Sequence, residues 1–197
     1  ILRELMFPYE TGALFVLRLY SEGGGWAAVD AAFENPPTTT EQILHPDKYL
    51  SGEVGQLVDL LPVSDLLDDS WLLQWDMSLG EFYLGEHLMT QLPRRAALAA
   101  AAGWGGDRIQ IYTNETGEVA WLLRLAWDTP ADANEFAQAY ADFNTRRTSE
   151  QGQIETFGAV TCASVTTVIC YSDDASLIAS APDLDLAGAL VATQIGA

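Results

Sequence analysis

The chain is 197 residues long and carries nine Lys and Arg against 28 Asp and Glu, for a formal net charge of −19. Apolar residues make up 49% of it, enough to bury a sizeable core and too many for a disordered chain. So negative a field repels phosphate backbones and anionic lipid surfaces, so no nucleic-acid partner is expected.

No apolar run reaches the roughly 18 residues that a spanning helix needs, so no membrane-spanning segment is expected. Residues Ile1 to Phe7 show no signal-peptide pattern and read like the interior of a longer chain. An upstream segment of the same protein is therefore expected.

The first third reads as helical. Pro8 suits a first helical turn, and Leu14 to Tyr20 continue an apolar helix that ends at Gly23-Gly24-Gly25. Trp26 to Glu34 is a second helix with Trp26, Val29, Ala32 and Phe33 on one stripe, stopped by Pro36-Pro37. Thr38 caps a brief third helix, with Glu41 reaching back in a capping box. His45-Pro46 ends that helix, because a residue before Pro avoids the α region. Pro46 to Gly55 then reads as a connector. A helical subdomain over 1–50 and an α+β domain over 51–197 are expected.

Gln56 to Leu61 and Trp71 to Trp75 alternate like strands, with the acidic loop Asp65 to Ser70 between them. Ser78 and Glu81 form a second capping box at the start of a helix. Arg94 to Ala102 is an alanine-rich helix closed by Gly103. Strands over Arg108 to Thr113 and Glu118 to Asp128 flank the turn Asn114 to Gly117. Thr129-Pro130 opens a helix running to about Arg147, with Phe136, Tyr140 and Phe143 on one face. Phe157 to Ser164, Thr167 to Tyr171 and Ser176 to Ala181 complete the strands, and Asp183 to Ile195 closes the chain as a helix. The pattern is α+β: a helical N-terminal third, then a mainly antiparallel sheet with helices packed on one face.

Cys162 and Cys170 stand eight apart, on one face of a strand pair. A hairpin turning at Thr166 would set them opposite each other, ready to bridge. Two free buried thiols are the alternative. A bridge would place the protein outside the cytoplasm.

Catalytic chemistry is thinly supported. The two histidines, His45 and His87, lack the paired ligands of a zinc site, and Glu86-His87 is half a pair at best. Gly103-Trp104-Gly105-Gly106-Asp107 precedes a strand rather than a helix and has no lysine, so it is a turn around a buried Trp104 and no phosphate cradle. Asp65, Asp68 and Asp69 lack the glycine and distal glutamate of a calcium loop. Asn114-Glu115-Thr116 is a glycosylation sequon, a pattern common by chance. No catalytic or metal-ligating residue is assigned. His45, Lys48 and Tyr49 form a polar and aromatic cluster at a helix end, readable as a binding cluster or as a helix-terminal histidine bonded to a carbonyl.

Phe7-Pro8-Tyr9-Glu10, Trp26-Ala27-Ala28-Val29-Asp30 and above all Pro36 to Tyr49 resemble a group of bacterial secreted proteins and lipoproteins that are zinc-metallopeptidase-like. Ala101 to Arg108 and Trp127-Asp128 are similar to it as well. In that group a comparable stretch follows a His-Glu-x-x-His helix. The resemblance implies an extracytoplasmic, non-catalytic region that supports or shapes a substrate groove. It also implies that zinc belongs to an upstream segment and that no cofactor belongs to these residues. His45, Lys48 and Tyr49 would face that segment, with a peptide or protein as partner. The alternative is an independent envelope module presenting a sheet or groove to a peptide or ligand. A small-molecule enzyme using scattered carboxylates is a third reading.

Overall fold

The computed structural model describes residues 2–148, 153–157, 160–164, 167–172 and 174–195, with the backbone alone at 153–157, 160–164 and 167. The chain divides into two compact units, Ile1–Gly55 and Gln56–Ala197.

The first unit holds four helices. α1 (Leu2–Glu22) begins upstream of Pro8, which lies inside it. That corrects the expected start: Leu2 to Met6 are good helix formers, and they extend the helix although Pro8 has no N–H to donate. α2 (Trp26–Glu34) packs on α1, and Phe15, Leu19 and Val29 form the small core, with Ile43 and Tyr49 against it. α3 (Thr40–Leu44) is capped by Thr39 rather than Thr38. The Thr39 hydroxyl accepts from the Gln42 N–H at 3.2 Å, and Gln42 Oε1 accepts from the Thr38 N–H at 2.7 Å. The cap therefore sits one position later than expected, and the side chain that reaches back is Gln42 rather than Glu41, bonded to the N–H of the residue before the cap. The connector expected over Pro46 to Gly55 contains a helix instead, α4 (Pro46–Ser51), with Pro46 in its first turn and the left-handed Gly52 as its cap.

The second unit is built on an antiparallel sheet. Its strands are β1 (Trp71–Met77), β2 (Trp104–Asn114), β3 (Val119–Trp127), β4 (Gln153–Phe157), β5 (Val160–Ser164), β6 (Thr167–Tyr171) and β7 (Ala175–Ser180), ordered β1-β2-β3-β7-β6-β5-β4. The α+β class and the antiparallel pairing are observed. The strand expected over Phe157 to Ser164 is two strands, β4 and β5, paired with each other.

Helices cover both faces of the sheet where one was expected. α5 (Gly80–Leu88), α6 (Arg94–Ala101) and α7 (Pro130–Thr148) enclose the larger core, in which Leu84, Leu88, Phe136 and Tyr140 meet Leu123, Leu125 and Ile178. α8 (Leu184–Ile195) covers the opposite face with Ala187, Leu190 and Val191 against Leu122, Val168 and Ala179. The physical reason lies in β3, whose residues alternate Leu122, Leu123 and Leu125 to both sides, so both faces are apolar and both need cover.

Gln56 to Leu61, where a strand was expected, has no regular secondary structure and pairs with no strand among the described residues. Its backbone is held from elsewhere. The Gln56 N–H donates to Gly105 O at 2.7 Å, and the Leu61 N–H donates to Gln194 Oε1 at 2.8 Å while Gln194 Nε2 returns a bond to Leu61 O at 3.1 Å. The glycine run serves this contact. β2 starts at Trp104, and Gly105 is the extra residue of a bulge against β3. A side chain at Gly106 would collide with the Gln56 carbonyl.

Candidate functional site

β1 reads Trp71-Leu72-Leu73-Gln74-Trp75-Asp76-Met77, and strict alternation would send Trp71, Leu73, Trp75 and Met77 to one side. The register with β2 slips between Leu73 and Trp75, leaving Gln74 as the extra residue. A one-residue slip reverses the facing of everything beyond it. Leu73 and Asp76 thus stand opposite Tyr112 and Gln110 on the α8 side, whereas Leu72, Trp75 and Met77 stand opposite Thr113, Ile111 and Ile109 on the other.

Among the described residues β1 has one strand neighbour, β2, so its outer backbone edge is open. It is also unusually apolar for an edge. Leu72 is 61% exposed and Trp75 54%, and Leu73 and Met77 are exposed as well. A groove of about 510 Å³ runs beside it, with Leu60, Val63, Leu67, Trp71, Leu73 and Tyr112 as apolar lining and Asp68 and Asp69 among its polar residues.

Polar groups on the same side are tied into a chain. The Tyr112 hydroxyl donates to Gln110 Oε1 at 2.8 Å, Gln110 Nε2 donates to Asp76 Oδ2 at 3.1 Å, and Arg108 holds Asp76 through both Nε and Nη2. The Arg108 guanidinium keeps the Asp76 carboxyl below its usual range. Asp68 is also lowered, because the Ser70 hydroxyl and N–H both donate to it. Both carboxylates are therefore charged at neutral pH.

Among the described residues two titratable groups bear on the larger core, Asp107 buried and His87 half-buried. Asp107, 5% exposed, reaches from β2 to the start of α5. Its carboxylate accepts from the Ser78 hydroxyl, from the Leu79 N–H at 2.9 Å and from the Gly80 N–H at 3.2 Å. Burial pushes its pKa up, against the pull of those donors. The expected Ser78-Glu81 capping box is thereby corrected, since the N-cap position is Leu79 and the cap comes from Asp107. His87 stacks on Tyr140 and leans on Phe143, with Nε2 at 3.3 Å from the Tyr140 hydroxyl. Burial, helped by the charge of Arg147, lowers its pKa to about 4. Both groups belong to the packing of α5 rather than to an open site.

The cluster singled out in the sequence is half-buried in the helical unit. His45 joins α3 to α4: its N–H donates to Glu41 O at 2.7 Å, and its carbonyl accepts from the Lys48 N–H at 2.9 Å. Lys48 Nζ lies between Glu41 Oε1 at 2.7 Å and Glu53 Oε1 at 2.8 Å. The Tyr49 hydroxyl donates to Asn35 O at 2.7 Å, and its ring meets Phe15 edge-on. The three are neighbours, and each also ties parts of this unit together.

The expected Cys162–Cys170 bridge falls on a residue whose side chain lies outside the described residues. The backbone register sets Cys162 directly opposite Cys170, and Cys170 is buried.

Sequence reasoning passed over the β1 edge. Its signal was legible: a strand with five large apolar residues preceded by an acidic loop. The bulge that divides them between two faces left no mark in the alternation.

No curated protein matches the chain, and no solved structure does. A family profile matches residues 73–190, more than half of the chain, from within β1 into α8 and so within the sheet unit. By that match the chain belongs to the family described as Domain of unknown function (DUF8575).

Proposed function

We propose that this chain is a non-catalytic binding module that takes up an extended peptide along the open edge of β1. The observation that carries this reading is the combination of an open backbone edge with exposed Leu72, Leu73, Trp75 and Met77. Such an edge templates further strand pairing, and proteins usually blunt it with charge, proline or a covering element. A peptide strand added here would form main-chain hydrogen bonds with β1 and seat alternate side chains on its two faces. The adjoining groove gives one set of side chains a place to go.

Within a longer metallopeptidase-like protein the same edge would guide a peptide substrate toward chemistry located elsewhere, with zinc in another segment. The resemblance of Pro36 to Tyr49 is what supports that setting and an extracytoplasmic location.

The test is a binding screen of labelled extended peptides against the full chain, read by fluorescence anisotropy. Binders should lose at least about tenfold in affinity when alternate backbone nitrogens are methylated, because the ladder donors vanish. Methylated peptides that bind unchanged would exclude strand addition.

A further inference from the structure

The two sides of β1 differ in chemistry, and the difference selects a partner. On the side of Leu72, Trp75 and Met77 the strand meets Ile109 and Ile111 of β2, so that surface is apolar. On the other side lies the groove, where Trp71, Leu73 and Tyr112 offer aromatic and aliphatic walls and Asp68 and Asp69 stand with them. The Gln74 bulge creates this division; without it Trp71, Leu73, Trp75 and Met77 would share one face.

An incoming strand sends successive side chains to opposite faces. Those over Leu72, Trp75 and Met77 meet an apolar surface. Those over the groove meet walls suited to a methylene stem and carboxylates suited to a cationic head. Lysine and arginine have that build: they lay the stem on apolar surface and keep the charge at a polar rim. The ring faces of Trp71 and Tyr112 would add cation–π attraction. The Asp76 carboxylate is already matched by Arg108, so Asp68 and Asp69 are the groove carboxylates that a cation would meet.

Resting on the peptide-capture reading above, we infer that the captured segment alternates apolar residues with lysine or arginine. The net charge of −19 favours such a segment at long range, since it draws cations to the surface before contact. A second copy of this chain fits poorly. Its own β1 contains no Lys or Arg, and the approach would oppose two strongly negative molecules.

Three labelled peptides of roughly nine residues, a usual strand length, decide the matter by fluorescence anisotropy against the full chain. They share their apolar positions and alternate them with Lys, Gln or Glu. At about 0.15 M salt the Lys peptide should bind at least about tenfold tighter than the Glu peptide, as partly desolvated charge pairs allow. Asp68→Asn with Asp69→Asn should bring the Lys peptide down to the level of the Gln peptide. Glu135→Gln with Asp185→Asn removes two exposed charges elsewhere and should leave the preference intact. If the two double variants lose equally, the overall field and not the groove is responsible, and the inference falls. A Gln peptide that binds as tightly as the Lys peptide also overturns it while strand capture stands. Absence of binding by every peptide, or a concentration-dependent dimer that Trp75→Lys abolishes, removes both.

Discussion

α3 of the helical unit and α5 of the sheet unit begin in opposite ways. In the helical unit, α3 is capped by its own neighbours: Thr39 accepts from Gln42, and the Gln42 side chain reaches back to the Thr38 N–H. In the sheet unit, the N-cap position of α5 is Leu79, which has no side-chain acceptor, and Asp107 of β2 supplies the carboxylate instead. A local cap orders one helix end. A remote cap also fastens that end to the sheet, so α5 cannot fray without opening the junction with β2. Capping at a distance converts a helix-end interaction into a tertiary one.

The comparison is tested most strongly at Asp107. Asp107→Ala leaves the buried Gly80 N–H and the half-buried Leu79 N–H without their acceptor, while the exposed Ser78 hydroxyl can turn to water. Each orphaned donor costs on the order of 1 kcal/mol or more, so the sheet unit should lose about 2–4 kcal/mol in urea unfolding. Asp107→Asn keeps one acceptor oxygen and should lose about half as much. A loss below about 0.5 kcal/mol for the alanine variant, within the range of an ordinary surface substitution, would mean that α5 holds its end without this cap.

His87, in the same helix, sharpens the contrast through pH. Its folded pKa of about 4 lies below the ordinary 6.5, so the neutral ring is the folded form. Between those values the unfolded chain binds the extra proton. Stability is therefore whole above about 6.5 and falls as pH drops toward 4. At about 1.4 kcal/mol per unit, the loss approaches about 3 kcal/mol at the acid end. His87→Phe keeps a ring beside Tyr140 and Phe143 and removes the proton site. Its stability should be flatter across that window in pH-dependent unfolding, and an unchanged slope would assign the acid sensitivity to other groups.

What the sequence disclosed follows the same divide between local and remote. α2, α7 and β6 were legible within a residue or so, since each rests on a stripe, an N-terminal Pro or a run of β-branched residues within its own span. Gln56 to Leu61 carried a strand-like alternation, yet its hydrogen bonds go to Gly105 and Gln194, which no nearby residue announces. Gly105 and Gly106 read as turn residues because a glycine needed for close approach resembles a glycine needed for a bend. In the candidate site, the apolar residues of β1 and the aspartates of the groove were visible in the sequence, while the slip at Gln74 that assigns them to faces was not. His45, Lys48 and Tyr49 drew attention as a cluster, and the partners of Lys48 and Tyr49 now account for much of that polarity inside the helical unit.

The smallest expected effect tests the local half of the comparison. Thr39→Ala removes the acceptor for the Gln42 N–H and should weaken α3 by about 1 kcal/mol, as loss of an N-cap usually does. Thr38→Ala leaves the backbone N–H that meets Gln42 Oε1 and should cost less, on the order of a few tenths. Amide exchange at Gln42 and Ile43 reads the difference directly, because those donors belong to the capped turn. Each variant should speed exchange there and leave Leu79 and Gly80 in the sheet unit unaffected. Equal effects at positions 38 and 39 would return the cap to Thr38 and dissolve the one-residue shift on which the local half of the contrast depends.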